Sequence, residues 1–188
     1  MAGLGRAFVA VVPPPTVRDA LADAIAGVVG PPLRPTAPER WHVTLRFLGA
    51  VPDVDTLVAG LADVAATHAA PTGIRCGGAG SFPDGPRGTA VWVGVDGGDA
   101  LPDLAAAVDR TAVGLGVPEE PRPFRAHLTV ARTGRSAEPP VAALAAAVDS
   151  SGAATAPWTA TELVVVASHP AGGHHRHTVV ARLPLASP

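Results

Sequence analysis

Two short stretches of this chain carry residues able to do acid–base chemistry, at matching positions. Trp41-His42-Val43-Thr44-Leu45-Arg46-Phe47-Leu48-Gly49 is answered much later by Phe124-Arg125-Ala126-His127-Leu128-Thr129-Val130-Ala131-Arg132. In an extended strand successive side chains point to opposite faces, so His42 and Thr44 share one face while Val43 and Leu45 share the other. His127 and Thr129 repeat the arrangement. If the two strands lie side by side, two imidazoles and two hydroxyls converge on one small volume backed by apolar side chains. Near neutrality a neutral imidazole accepts a proton and a protonated one donates it, which suits displacement at phosphorus. Water would lose its proton to one histidine, while hydroxyls and arginine hold the charge at phosphorus. The other histidine would protonate the leaving oxygen. Each general acid or base contributes roughly 10²–10⁴ in rate, so no metal is required and no cofactor is expected.

One His-x-Thr alone is an ordinary strand with a hydrogen-bonded or surface histidine; two copies in matched contexts are not. Zinc is the other chemistry two histidines could serve. Neither motif has a carboxylate or thiolate ligand nearby, and threonine is a poor zinc ligand.

The elements that must position these residues follow from punctuation and periodicity. Arg6 to Val12 is predicted as a first strand stopped by Pro13-Pro14-Pro15, and Thr16 with Asp19 as the cap of a helix running to about Val29. A proline- and arginine-rich loop over residues 31–40 leads to the strand at Trp41. Asp53 caps a helix with Val54, Leu57, Val58, Leu61 and Val64 at helical spacing, closed by Pro71 and Gly73. Strands near residues 72–80 and 89–95 flank the loop Ser81 to Gly88. The second half repeats the order: a helix over 101–115, a proline-rich loop at 117–123, the second motif strand, a helix over 139–149, and strands at 158–167 and 177–185. The last two are joined by Ser168 to Arg176. The expected fold is α+β, a bilobal pseudo-duplicated single domain over residues 1–188, with two largely antiparallel sheets lining a central cleft and helices outside.

Composition bounds the rest. The chain has 188 residues, 47% of them hydrophobic, which is enough for a sizeable core. Gly and Pro, 21 each, read as turn punctuation. No long apolar run is free of proline or charge, so no membrane span is expected and the cytoplasm is favoured. The single cysteine, Cys76, has no internal partner and no metal-ligand spacing around it. A net charge of −2 excludes a general nucleic-acid binder, so phosphate recognition must be local. All 14 basic residues are arginine, whose planar fork matches phosphate oxygens. Of the other histidines, His68 is expected to serve a helix C-terminus and His169 a turn. His174, His175 and His177 read as an exposed polar hairpin, with metal capture or an RNA-end contact as alternatives.

His42-Val43-Thr44-Leu45-Arg46-Phe47-Leu48-Gly49 and His127-Leu128-Thr129-Val130-Ala131-Arg132 resemble the two signature motifs of the 2H phosphoesterase superfamily. Within it the chain is most similar to bacterial and archaeal RNA 2′,3′-cyclic phosphodiesterases, also called 2′-5′ RNA ligases. The likeness extends to Arg6 to Ala10, Phe82-Pro83, Val91 to Gly94 and the hairpin from Ser168 to Gly173. It implies His42 and His127 as acid and base, with His127 preferred for water activation and His42 for the leaving group. It implies Thr44 and Thr129 as phosphate ligands, Arg132 as a further phosphate contact and Phe47 as a base-stacking residue. Strand parity places Arg132 and Phe47 opposite their histidines unless a bulge or twist turns them back. Parity nominates Arg46 and Arg125 instead, and Arg125 is kept as a substrate-binding candidate. Three departures stand out: Ala126 where the family often has proline, His175-Arg176-His177 where it often has an aromatic, and the absence of lysine.

The resemblance implies hydrolysis of an RNA terminal 2′,3′-cyclic phosphate to a 2′-phosphomonoester by a monomer and, with a 5′-hydroxyl as the nucleophile in place of water, reversible 2′-5′ ligation. The alternatives are another cyclic or 2′-5′-linked nucleotide as substrate, or a non-catalytic RNA-end binder.

Overall fold

The computed structural model describes residues 4–51, 53–134, 137–171 and 174–188. Thirteen elements run β1 (Leu4–Val11), α1 (Pro15–Ile25), β2 (Arg34–Pro35), a single 3-10 turn (Pro38–Arg40), β3 (Val43–Val51), α2 (Val54–Thr67), β4 (Arg75–Phe82), β5 (Ala90–Asp96), α3 (Ala100–Gly114), β6 (His127–Arg132), α4 (Val141–Asp149), β7 (Glu162–Ala171) and β8 (His174–Pro184). The α+β class is as expected. The two sheets, however, are joined into one of eight strands in the order β4-β5-β6-β3-β1-β7-β8, with β2 on β6. The join is slight: β3 and β6 pair antiparallel at the single position Val43 opposite Leu128.

The strand pairs are exchanged between the halves. β4 and β5 follow β3 in the chain but build onto β6, whereas β7 and β8 follow β6 but build onto β1 and β3. Alternation along β1 shows why the sheet needs cover on both faces. Ala7, Val9 and Val11 join the main core under the helices, while Phe8 and Ala10 form a second, smaller cluster with Val164 and Val166 on the opposite face.

Helix boundaries follow local chemistry. Helix α1 starts at Pro15 with Pro14 at its cap and no side-chain cap, so it is proline at the first turn, not Thr16, that begins it; it ends at Ile25, short of Val29. Asp53 caps α2 as expected, its Oδ1 accepting from the Thr56 N–H at 3.1 Å. His68 Nδ1 donates to the Val64 carbonyl at 2.9 Å, closing that helix at its C-terminus. The connection expected from Ser168 to Arg176 is mostly strand: β7 runs to Ala171 and β8 begins at His174. Gly172 and Gly173, the turn Pro52, and the side chains of His174 and His175 lie outside the described residues.

Candidate functional site

The site is built on the seam between β3 and β6. Val43 and Leu128, the middle residues of the two His-x-Thr motifs, are fully buried and face each other across it. In antiparallel register this pairing sets His42 opposite Thr129 and Thr44 opposite His127. A pseudo-twofold therefore passes between Val43 and Leu128, and all four polar side chains stand on the face away from the core. The histidines are diagonal neighbours across the seam, near enough for the charge of His127 to bear on His42.

Both imidazoles are held by the same device. His42 Nδ1 lies 2.7 Å from the Arg40 carbonyl, and His127 Nδ1 lies 2.7 Å from the Arg125 carbonyl, in each case two residues upstream. A carbonyl only accepts, so the Nδ1 proton is fixed on each ring and Nε2 keeps its lone pair for the cleft. Burial lowers both pKa values. His42 falls to about 4, chiefly through desolvation, with the Arg40 carbonyl opposing and the nearby His177, His127 and Arg40 charges adding to the drop. His127 is lowered by desolvation too, opposed by the Arg125 carbonyl and assisted by the Arg125 charge. Both rings are thus neutral at pH 7 before anything binds. Among the described residues neither the Thr44 nor the Thr129 hydroxyl has a hydrogen-bond partner, and both are half-buried.

Beyond the threonines each motif strand bulges at the same place. Between β1 and β3 the register passes from Thr44 to Arg46, skipping Leu45. Between β5 and β6 it passes from Thr129 to Ala131, skipping Val130. One extra residue reverses the facing of everything after it. Phe47 is therefore returned to the cleft face, 6.2 Å centroid to centroid from Phe8 and 52% exposed. The matching bulge returns Arg132, at the equivalent position, to the face of His127. Arg46, which simple parity had placed beside His42, is turned into the protein: it is 5% exposed, donates from Nε to Asp109 at 2.5 Å, and donates from its terminal nitrogens to the Phe47 and Pro118 carbonyls. It ties β3 to α3 and the following loop rather than holding a ligand. The Arg125 guanidinium is surface-exposed, lies 5.7 Å over Phe82 and 5.6 Å over Trp92, and pairs with Asp84 at 3.4 Å. Its clearest service to the site is its backbone carbonyl.

Four rings complete the walls. Phe8 stacks on His42 at 4.7 Å and 20°. His177 of β8 meets both edge-on, 5.6 Å from His42 and 5.1 Å from Phe8. The hairpin histidine read as exposed and polar is thus part of the site, at the place where the resemblance expected an aromatic. On the other side Phe82 and Trp92 flank His127 at 4.9 and 5.9 Å. Trp92 can lie there because residue 80 is glycine: a Cβ at Gly80 would stand 2.1 Å from the indole. Among the described residues no cluster of three metal-ligating side chains occurs, and no helix is long and apolar enough to cross a membrane.

Paired His-x-Thr strands rising from one sheet, with helices behind, are the arrangement that the resemblance to the 2H phosphoesterase superfamily implies. Residues 13–171 match the 2′-5′ RNA ligase superfamily, to which the chain belongs. An RNA 2′,3′-cyclic phosphodiesterase of Aeropyrum pernix is 34% identical over 113 residues, 60% of this chain and 63% of that protein. One from Geobacillus stearothermophilus is 36% identical over 96 residues, 50% of this chain and 30% of that protein. The match spans less than two thirds of the length of these curated relatives. Among solved structures, a protein of Thermus thermophilus superposes with a TM-score of 0.79 over 97% of this chain and 98% of that one, a likeness of fold at 23% identity. E.coli LigT crystallised with 3′-AMP superposes with a TM-score of 0.73 at 27% identity, over 98% of this chain and 99% of that one.

Proposed function

We propose that this chain hydrolyses the 2′,3′-cyclic phosphate at the end of an RNA strand to a 2′-phosphomonoester. What carries the proposal is the pair of imidazoles with the same fixed tautomer, each presenting Nε2 to one volume between two threonine hydroxyls. Water attacks phosphorus as its proton passes to one Nε2. The P–O3′ bond breaks, and the O3′ oxygen takes a proton from the other, protonated Nε2. Thr44, Thr129 and Arg132 hold the non-bridging oxygens as charge develops. Phe47 offers an exposed ring on which the terminal base stacks. Because both rings are neutral in the free protein, the anionic substrate must arrive with a proton or draw one in.

The same machinery joins 2′-5′ ends when a 5′-hydroxyl replaces water as the nucleophile: the O5′–P bond forms, the P–O3′ bond breaks, and the protons move as in hydrolysis. Each chain carries both motifs, so a monomer is sufficient; sedimentation at working concentration checks this. An RNA substrate puts the place of action in the cytoplasm, which fractionation tests.

The deciding experiment is incubation with an oligonucleotide ending in a 2′,3′-cyclic phosphate, in EDTA. A 2′-phosphate end supports the proposal and shows that no metal is needed. A 3′-phosphate product, or binding without turnover, would falsify it. Small cyclic nucleotides run in parallel separate RNA ends from other cyclic substrates.

A further inference from the structure

A groove of about 770 Å³ leaves the His42 side of the site and runs across β1, β7 and β8. Its floor includes Val12, Val164, Val166 and Val179, and its near end is formed by Phe8, His42 and His177. Val179, unusually for a large aliphatic residue, is 47% exposed. Four arginines line the groove, Arg18, Arg40, Arg176 and Arg182, against two acids, Glu39 and Glu162. A chain of net charge −2 thus gathers four of its 14 arginines around one apolar trough that opens into the reacting centre.

Two details show how the arginines come to be there. The β7–β8 register passes from Val179 to Ala181, skipping Val180, so Arg182 is brought back to the face that carries His177 and Val179. Arg182 pairs with Glu162 at the groove's edge. Arg18, on the first turns of α1, has a buried Nε without a hydrogen-bond partner, although its Nη1 reaches the Pro38 carbonyl at 3.4 Å. From His177 to Arg182 the ladder spans four residues of β7, Ser168 to Val164, or about 13 Å at roughly 3.3 Å per residue, longer than one nucleotide. The cationic rim can track a strand's phosphates, and the apolar floor gives its bases a surface to lie on out of water.

Resting on the cyclic-phosphate reading above, we infer that this groove receives the RNA chain leading into the reacting end, so that the nucleotides on the 5′ side of the terminal one lie along β8. The preferred substrate is then an oligonucleotide rather than a nucleoside cyclic phosphate. The inference also puts the ribose beside His42, in keeping with His42 as the donor to O3′.

The test compares cytidine 2′,3′-cyclic phosphate with a pentanucleotide bearing the same end. The pentanucleotide should show a kcat/KM at least 10-fold higher, expressed mainly in KM. Between 50 and 200 mM salt its kcat/KM should fall about 20-fold, as for three phosphate contacts on a single strand, against about 3-fold for the mononucleotide. In an Arg176→Gln/Arg182→Gln variant the advantage of the pentanucleotide should shrink by about 10-fold. Equal kcat/KM for the two substrates, or equal salt dependence, overturns the groove while leaving the hydrolase reading intact. So does a variant that slows both substrates alike. Turnover of neither substrate overturns both proposals. The length and salt comparisons use the unaltered protein and do not depend on the variant's folding.

Discussion

His42 rests on a ring laid nearly parallel to its own and has a second imidazole at its edge, whereas His127 meets its aromatic neighbours at steep angles; an arginine charge bears on each. Their backbones are near copies: the same carbonyl two residues upstream, the same half-buried hydroxyl two residues on, the same bulge three residues on. Duplication in this protein is therefore a property of the strand geometry, and individuality comes from what packs around it. The magnitudes support that division. A cation over an aromatic face gains about 0.5–2 kcal/mol, yet the fall of His42 from 6.5 to about 4 disfavours its charged form by about 3 kcal/mol. Desolvation and neighbouring positive charge outweigh stacking on Phe8. The half-sites can share a tautomer and still differ in how readily they hold a proton.

The bluntest way to break the comparison is to delete one side of it. His42→Ala and His127→Ala should each lower kcat by about 10³–10⁴-fold with circular dichroism unchanged; full activity in either would end the two-histidine account. The pair can then be told apart with a substrate whose leaving group needs no proton, such as a 4-nitrophenyl phosphodiester. The variant lacking the general acid should be rescued by it, and the variant lacking the base should not. Smaller, and equal on the two sides, is the loss of one hydroxyl: Thr44→Val and Thr129→Val should each cost about 10²-fold in kcat. A large inequality between them would show that the phosphate lies off the pseudo-twofold.

The pH profile sharpens the contrast further. With both folded pKa values below 6.5, kcat/KM should rise as pH falls from 8 through 6.5, as one ring gains the proton it must donate, and decline again toward pH 4. Stability runs the other way. The unfolded chain takes up protons near 6.5 while folded His42 waits until about 4, so stability is complete above 6.5 and is lost as pH falls through that window. The loss attributable to His42 is about 3 kcal/mol, and His42→Asn should remove it from a series of urea melts. The smallest change is His177→Phe, which keeps a ring against Phe8 and removes a neighbouring positive charge. His42 should then titrate higher by NMR, while His127 stays where it was.

The four motif residues were legible from sequence because their geometry is short-range: alternation puts a histidine and the threonine two positions on together whatever the rest of the sheet does. Phe47 and Arg132 were named by the resemblance alone, and strand parity misplaced both of them and Arg46, since their facing depends on the bulges at Leu45 and Val130. A run such as Val43-Thr44-Leu45-Arg46 has no glycine or proline to mark one. His177 was hidden for a different reason. Its place beside His42 depends on β8 joining β7 and β7 joining β1, a connection across nearly the whole chain. The repeated order of elements was visible, but the exchange of strand pairs was not, because like strands satisfy either partner's hydrogen bonds. Arg40 carried a sign that could have been used: it and Arg125 both stand two residues ahead of a motif histidine, although what each supplies to the ring is a backbone carbonyl.

That exchange sets an order of assembly. The half of the sheet around His127 draws on β4, β5 and β6 and can be complete once the polypeptide has been made to Arg132. The half around His42 holds β1, β7 and β8, so the earlier motif in sequence is the later one to be finished on a ribosome. Until β7 and β8 arrive, β1 lacks its second neighbour and Phe8, with the ring it supports, lacks half its surroundings. A nascent chain stalled in its last quarter would thus present one formed half-site and one open strand edge, the kind of surface that chaperones bind.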